Sequence, residues 1–79
     1  MIEIFVSSLC PDCIDVIENY KKDPLYYGKA VLVDITESMA NLKRFLYYRD
    51  KKIEFKEKIQ TNQVGIPVII SDKEEVKFI

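Results

Sequence analysis

Two short apolar runs with a helical pattern between them constrain this chain most. Residues 2–7 carry Ile2, Ile4, Phe5 and Val6, and residues 30–33 read Ala30-Val31-Leu32-Val33. Runs this short and this rich in β-branched residues read as strands. Two strands joined through a helix lie parallel with a right-handed crossover, because the helix returns the chain to the edge where it started. The first run alternates at its start and then becomes continuously apolar, which fits a strand covered on both faces. The second reads as a buried strand as well.

Between these runs Cys13, Ile14, Ile17 and Tyr20 recur at helical spacing, and Pro11 suits a first helical position. Asp23-Pro24 ends that helix, since a residue before proline is pushed out of the helical region. After the second strand, Thr36 or Ser38 stands where a cap is needed for a helix carrying Met39, Leu42, Phe45 and Leu46. Phe55 and Ile59 resume the pattern out of phase. An unbroken helix from 38 to 60 would run ~33 Å, too long for a domain of this size, so a break is predicted near 50–52. Residues 67–70 form a third strand, with proline tolerable at its start. Ser71-Asp72-Lys73 is turn chemistry, and residues 76–79 close an antiparallel hairpin. The predicted order is β-α-β-α-β-β in one domain, residues 1–79.

Size and charge narrow the function classes. A chain of 79 residues buries only about 60% of its unfolded surface, so its core is modest. A net charge of −1 gives no support for a nucleic-acid or anionic-membrane partner. Lys21-Lys22 and Lys51-Lys52 are short clusters beside Asp23 and Asp50, and read as solvated surface. No apolar stretch approaches the ~20 residues of a membrane span. Met1 leads into Ile2-Glu3-Ile4 without a signal-peptide pattern, so the expected compartment is cytoplasmic.

In such a compartment a cysteine pair more often means redox chemistry or metal than a structural bridge. The only two cysteines lie in Cys10-Pro11-Asp12-Cys13, and the chain has no histidine. With Cys10 at the cap and Cys13 in the first turn, the two lie about 5–6 Å apart, inside the range a disulfide accepts. Free amides at a helix start favour the Cys10 thiolate, and Pro11 has no N–H, leaving the others to face sulfur. Cys13, one turn in, is the more shielded thiol. Cys10 is thus the expected nucleophile on a partner disulfide, and Cys13 the thiol that resolves the mixed disulfide. Asp12 has two readings: an acid that stabilises the first turn by about 0.3–1 kcal/mol, or a charge that opposes the Cys10 thiolate and acidic partners.

The segments IFVSSLCPDC, VLVDIT and VGIPVII, in this order, resemble a glutaredoxin within the thioredoxin-like superfamily. Phe45-Leu46-Tyr47-Tyr48-Arg49-Asp50 is similar to bacterial glutaredoxin-related proteins. The resemblance implies a three-layer fold with a four-stranded mixed sheet, Cys10 as nucleophile and Cys13 as resolving thiol. It also implies a cis Ile66–Pro67 peptide against the cysteines, presenting the Ile66 backbone to an extended partner segment. On this reading Pro11, Asp12, Ile66 and Pro67 contact the substrate, a disulfide-containing protein or a glutathione mixed disulfide. The electron donor is a reductase or glutathione, with no tightly bound cofactor and no resident metal. The chain departs from the family at Ser7, where a basic residue is common, and at Asp12, where an aromatic is usual. A Gly-Gly-x-Asp turn and the family's last helix are also expected to be missing. An uncovered sheet face would then invite a weak homodimer, the alternative to a monomer.

Two other functions compete. A copper or zinc carrier would use the same Cys pair, though such domains usually carry methionine where Ser8 stands, and zinc would need further ligands from a dimer or carboxylates. A non-catalytic interaction module would use only the groove beside Pro67. A dimer bridging an iron–sulfur cluster through Cys10 is a further variant.

Overall fold

The computed structural model describes residues 1–79 and measures 34 × 27 × 22 Å. Its centre is β1 (Ile2–Val6), in which Ile4, Phe5 and Val6 are completely buried. On one side β1 pairs in parallel with β2 (Ala30–Asp34), setting Ile4 opposite Leu32. On the other it pairs antiparallel with β3 (Val68–Ile70), setting Ile4 opposite Ile69. The hairpin partner β4 (Val76–Phe78) completes a mixed sheet of order β2-β1-β3-β4.

Successive strand residues face opposite sides of a sheet, and β1 therefore serves two cores. Ile4 and Val6 pack with Cys13 and Val16 under α1 (Ile14–Lys22). Phe5 packs with Val33, Val68 and Ile70 beneath Phe45 of α2 (Met39–Arg49) and beneath Phe55. Helices thus cover both faces, as an α/β architecture requires. No helix is long and apolar enough to cross a membrane. Glu3 shares the Phe5 face and is 7% exposed; the Arg44 guanidinium pairs with its carboxylate and the Tyr48 hydroxyl donates to it at 3.5 Å. Those partners offset the desolvation of a buried carboxylate.

Ser38 caps α2, its Oγ accepting from the Asn41 amide at 3.1 Å. Thr36, the other predicted cap, is engaged elsewhere. The helix stops at Arg49, and a 3₁₀ turn (Ile53–Phe55) leads into the short α3 (Lys56–Gln60). This break folds Phe55 back onto Phe45 and Phe78, with ring centroids at 5.9 and 5.2 Å.

Three expectations need correction. β2 is an edge strand in which Val33 alone is buried, and Val31 is exposed, because β2 has a neighbour on one side only. Along α1 the buried stripe is Cys13, Val16, Ile17 and Tyr20, whereas Ile14 is half exposed. A 3₁₀ turn over Pro11–Cys13 precedes α1 and rotates Ile14 away from the sheet. Met39 opens α2 and is exposed, leaving Leu42, Phe45 and Leu46 as the apolar stripe.

Candidate functional site

β1 delivers the chain to a short loop that ends at Cys10. The Cys10 amide donates to the Ser7 carbonyl at 3.1 Å, and Ser7 itself is buried. A relay of hydrogen bonds ties this loop to the end of β2. The Leu9 amide donates to Ser7 Oγ at 3.0 Å, and Ser7 Oγ lies 2.9 Å from Thr36 Oγ1. Thr36 Oγ1 donates to Asp34 Oδ1 at 2.7 Å, so the Ser7 hydroxyl is the donor to Thr36. The Thr36 and Ser8 amides also donate to the Asp34 carboxylate, at 2.9 and 3.2 Å. Burial pushes the Asp34 carboxyl up, but the hydrogen bonds from Thr36 and Ser8 outweigh it and hold the group below the usual carboxylate range.

Cys10 is extended and caps the 3₁₀ turn, with Pro11 at its first position. The Cys13 amide donates to the Cys10 carbonyl at 3.0 Å. This corrects, in part, the expectation that the remaining amides face sulfur: the tight i→i+3 turn uses the Cys13 amide and, on the Pro11 carbonyl, the Ile14 amide internally, and α1 begins one turn later than expected. Both cysteines are free thiols, Cys10 half-buried and Cys13 fully buried. Burial pushes the Cys13 thiol up to about 12; the Ser7 backbone opposes this, while Cys10 and Asp12 add to it. Cys13 is therefore a protonated thiol at neutral pH.

A groove of about 640 Å³ runs beside these residues, and Cys10, Asp12, Ile66 and Pro67 all line it. Pro11 and Cys13 do not. Cys13 sits behind the groove in the α1 core, where Cys10 and Ile66 pack against it. The Ile66–Pro67 peptide is cis. The Pro67 carbonyl accepts from the Ile79 amide at 3.2 Å, whereas neither the amide nor the carbonyl of Ile66 has a partner in the chain. Gly65 has a φ of +99°, and a Cβ there would meet the Phe55 ring at 2.9 Å. Glycine is thus required both by the backbone angle and by the close approach.

Several residues of the site escape a reading of the sequence. Ser7, Thr36 and Lys58 line the groove, and Asp34 holds the Cys10 loop. Arg49 holds the opposite wall, donating to the Gln63 and Val64 carbonyls. The only sequence signal for them is the apolar-to-polar change at Val33-Asp34 and the charged run that Arg49 opens after an apolar stripe.

No family model, curated protein or solved structure matches this chain.

No group of three or more Cys, Asp or Glu side chains is arranged to hold a metal ion. A metal carried at this site would rest on the two sulfurs. What the arrangement offers chemically is one sulfur open to a groove and a second, protonated, directly behind it.

Proposed function

We propose that this protein is a thiol–disulfide oxidoreductase of the thioredoxin-like class, related to glutaredoxins, that reduces disulfides presented on an extended polypeptide segment. The observation that carries this reading is the asymmetry of the pair. Cys10 lines the groove, and Cys13, fully buried with its thiol pushed up to about 12, lies behind it. The four-stranded mixed sheet covered by helices on both faces, and the proline following a cis peptide beside Cys10, agree with the resemblance read in the sequence.

The Cys10 thiolate attacks one sulfur of a substrate disulfide, R–S–S–R′. A Cys10–S–S–R bond forms and R′–S⁻ departs. The Cys13 thiol then loses its proton to the departed thiolate and attacks the Cys10 sulfur, releasing R–S⁻, which takes a proton from water. The substrate gains two electrons, and the Cys10–Cys13 pair loses them as it closes into a disulfide. An external dithiol, or two molecules of glutathione, returns the pair to its starting state. A low-lying Cys13 thiolate would compete as nucleophile before the substrate is bound; keeping it protonated orders the two attacks. The unpaired N–H and C=O of Ile66 suit an added strand of substrate backbone.

The test is reduction of insulin by the full chain with dithiothreitol as reductant, together with Cys13→Ser. The wild type is expected to accelerate the reaction, and the variant, reduced beforehand and mixed with insulin after the dithiothreitol has been removed, to stall as a mixed disulfide on Cys10 visible by intact mass. Failure of the wild type on insulin, on hydroxyethyl disulfide and on glutathione mixed disulfides overturns the reading.

A further inference from the structure

The groove has one wall that regular secondary structure does not support. Residues 63–67 belong to no helix or strand, although Gln63, Val64, Ile66 and Pro67 all line the groove. Inside this segment lies Gly65 at positive φ, a flexible residue by nature. Four backbone hydrogen bonds hold it. The Gln63 amide donates to the Lys58 carbonyl at 2.8 Å, and the Pro67 carbonyl receives the Ile79 amide at 3.2 Å. The other two come from a single side chain at the last turn of α2: Arg49 Nε donates to the Val64 carbonyl and Arg49 Nη2 to the Gln63 carbonyl, each at 2.8 Å. The Arg49 side chain is only 21% exposed, and Asp50 lies at 3.8 Å from its third nitrogen.

From this geometry we infer that Arg49 is a positioning residue for the substrate groove; the inference rests on the exchange reading of the site. A planar guanidinium can hold two successive carbonyls at once, which no other side chain does as a rigid unit. By fixing Gln63 and Val64, the fork sets the position of Ile66 two residues on, a groove-lining residue whose N–H and C=O have no partner in the chain. Arg49 touches neither sulfur, so its effect falls on recognition of the substrate backbone and not on the attack by Cys10. A substrate without a peptide backbone has nothing to pair with Ile66 and is affected less.

The experiment compares the wild type with Arg49→Lys and Arg49→Met, all as full chains with dithiothreitol closing the cycle. One probe is a peptide bearing a mixed disulfide within an extended segment; the other is hydroxyethyl disulfide. Arg49→Met is expected to raise KM for the peptide about tenfold while kcat changes by less than about twofold. Its deficit on hydroxyethyl disulfide is several-fold smaller. Arg49→Lys keeps a cation at the helix end but serves one carbonyl, and raises KM in the same direction. Equal losses on the two probes, a fall in kcat at constant KM, or an Arg49→Lys variant indistinguishable from wild type overturns the assignment. Loss of a cooperative thermal transition in both variants also overturns it, since Arg49 would then be part of the core. A wild type that reduces neither probe instead refutes the exchange reading, before any variant is compared.

Discussion

Replacing Gly65 by alanine tests how the core and the groove wall share space. The backbone there has a φ of +99°, which L side chains rarely adopt, at a cost of about 1–3 kcal/mol. The new methyl would also lie 2.9 and 3.0 Å from two ring carbons of Phe55. That ring is fully buried and wedged between Phe45 and Phe78, so it has no open direction in which to move. Overpacking of this kind adds about 1–3 kcal/mol. The lower entropy of an unfolded alanine returns about 0.4–1 kcal/mol. The sum is a destabilisation of about 1–5.5 kcal/mol. For a domain of this size each kcal/mol moves the midpoint by about 4–8 °C, so at the middle of that range, about 3 kcal/mol, the melt should fall by about 12–24 °C. Gly28 supplies the control. Its φ is +88°, but a Cβ there would meet only Ile2 Cδ1 at 3.9 Å, an ordinary contact. Thermal unfolding followed by circular dichroism should therefore show Gly65→Ala losing clearly more than Gly28→Ala. Phe55→Leu in the Gly65→Ala background should cost less than the two single changes added together, because the smaller side chain removes the clash. Equal losses at the two glycines, or strict additivity with Phe55→Leu, would refute the reasoning.

Three further outcomes follow from the site and the core. With its thiol pushed up to about 12, Cys13 should carry about one part in ten thousand of thiolate at pH 8, so iodoacetamide should label Cys10 alone in the folded protein and both cysteines in guanidinium. Asp34→Asn should lower stability by about 1 kcal/mol at pH 7, since the amide is a weaker acceptor for the Thr36 and Ser8 donors. The sign with pH is set by a folded-state carboxyl held below its unfolded range: its stabilisation is present above the ordinary carboxylate pKa and disappears as the pH falls through the folded value, so the gap between variant and wild type should close in acid. Arg44→Met should destabilise by about 2 kcal/mol in chemical denaturation, because the buried Glu3 carboxylate would keep only the Tyr48 hydroxyl; Glu3→Gln combined with Arg44→Met should recover part of the loss.

Which of these features a linear reading reaches depends on the distance over which they are decided. The strands around Ile4 and Val33, the cysteine pair after β1, the stop at Asp23-Pro24 and the break after Arg49 are all legible. Each is set by neighbours within a turn or two: apolar spacing, a proline, a charged interruption. The phase of α1 is a near miss. Pro11 opens a 3₁₀ turn and not an α-turn, and that difference exchanges Ile14 for Val16 in the core. The edge position of β2 is not legible, because strand order depends on β3 taking the other side of β1 from far along the chain.

The sequence by itself determined the alternation of strands and helices, and the placing of two thiols one turn apart after a buried strand. Periodicity, proline and helix breaks act locally, and local rules suffice for them. Only the tertiary structure decided what surrounds those thiols. The Asp34–Thr36–Ser7 relay behind Cys10, the Arg49 fork on the far wall, and the approach of Phe55 to Gly65 each join residues distant in the chain. Such contacts exist because sheet pairing and a shared core bring their backbones together, and no spacing rule along the chain encodes that meeting.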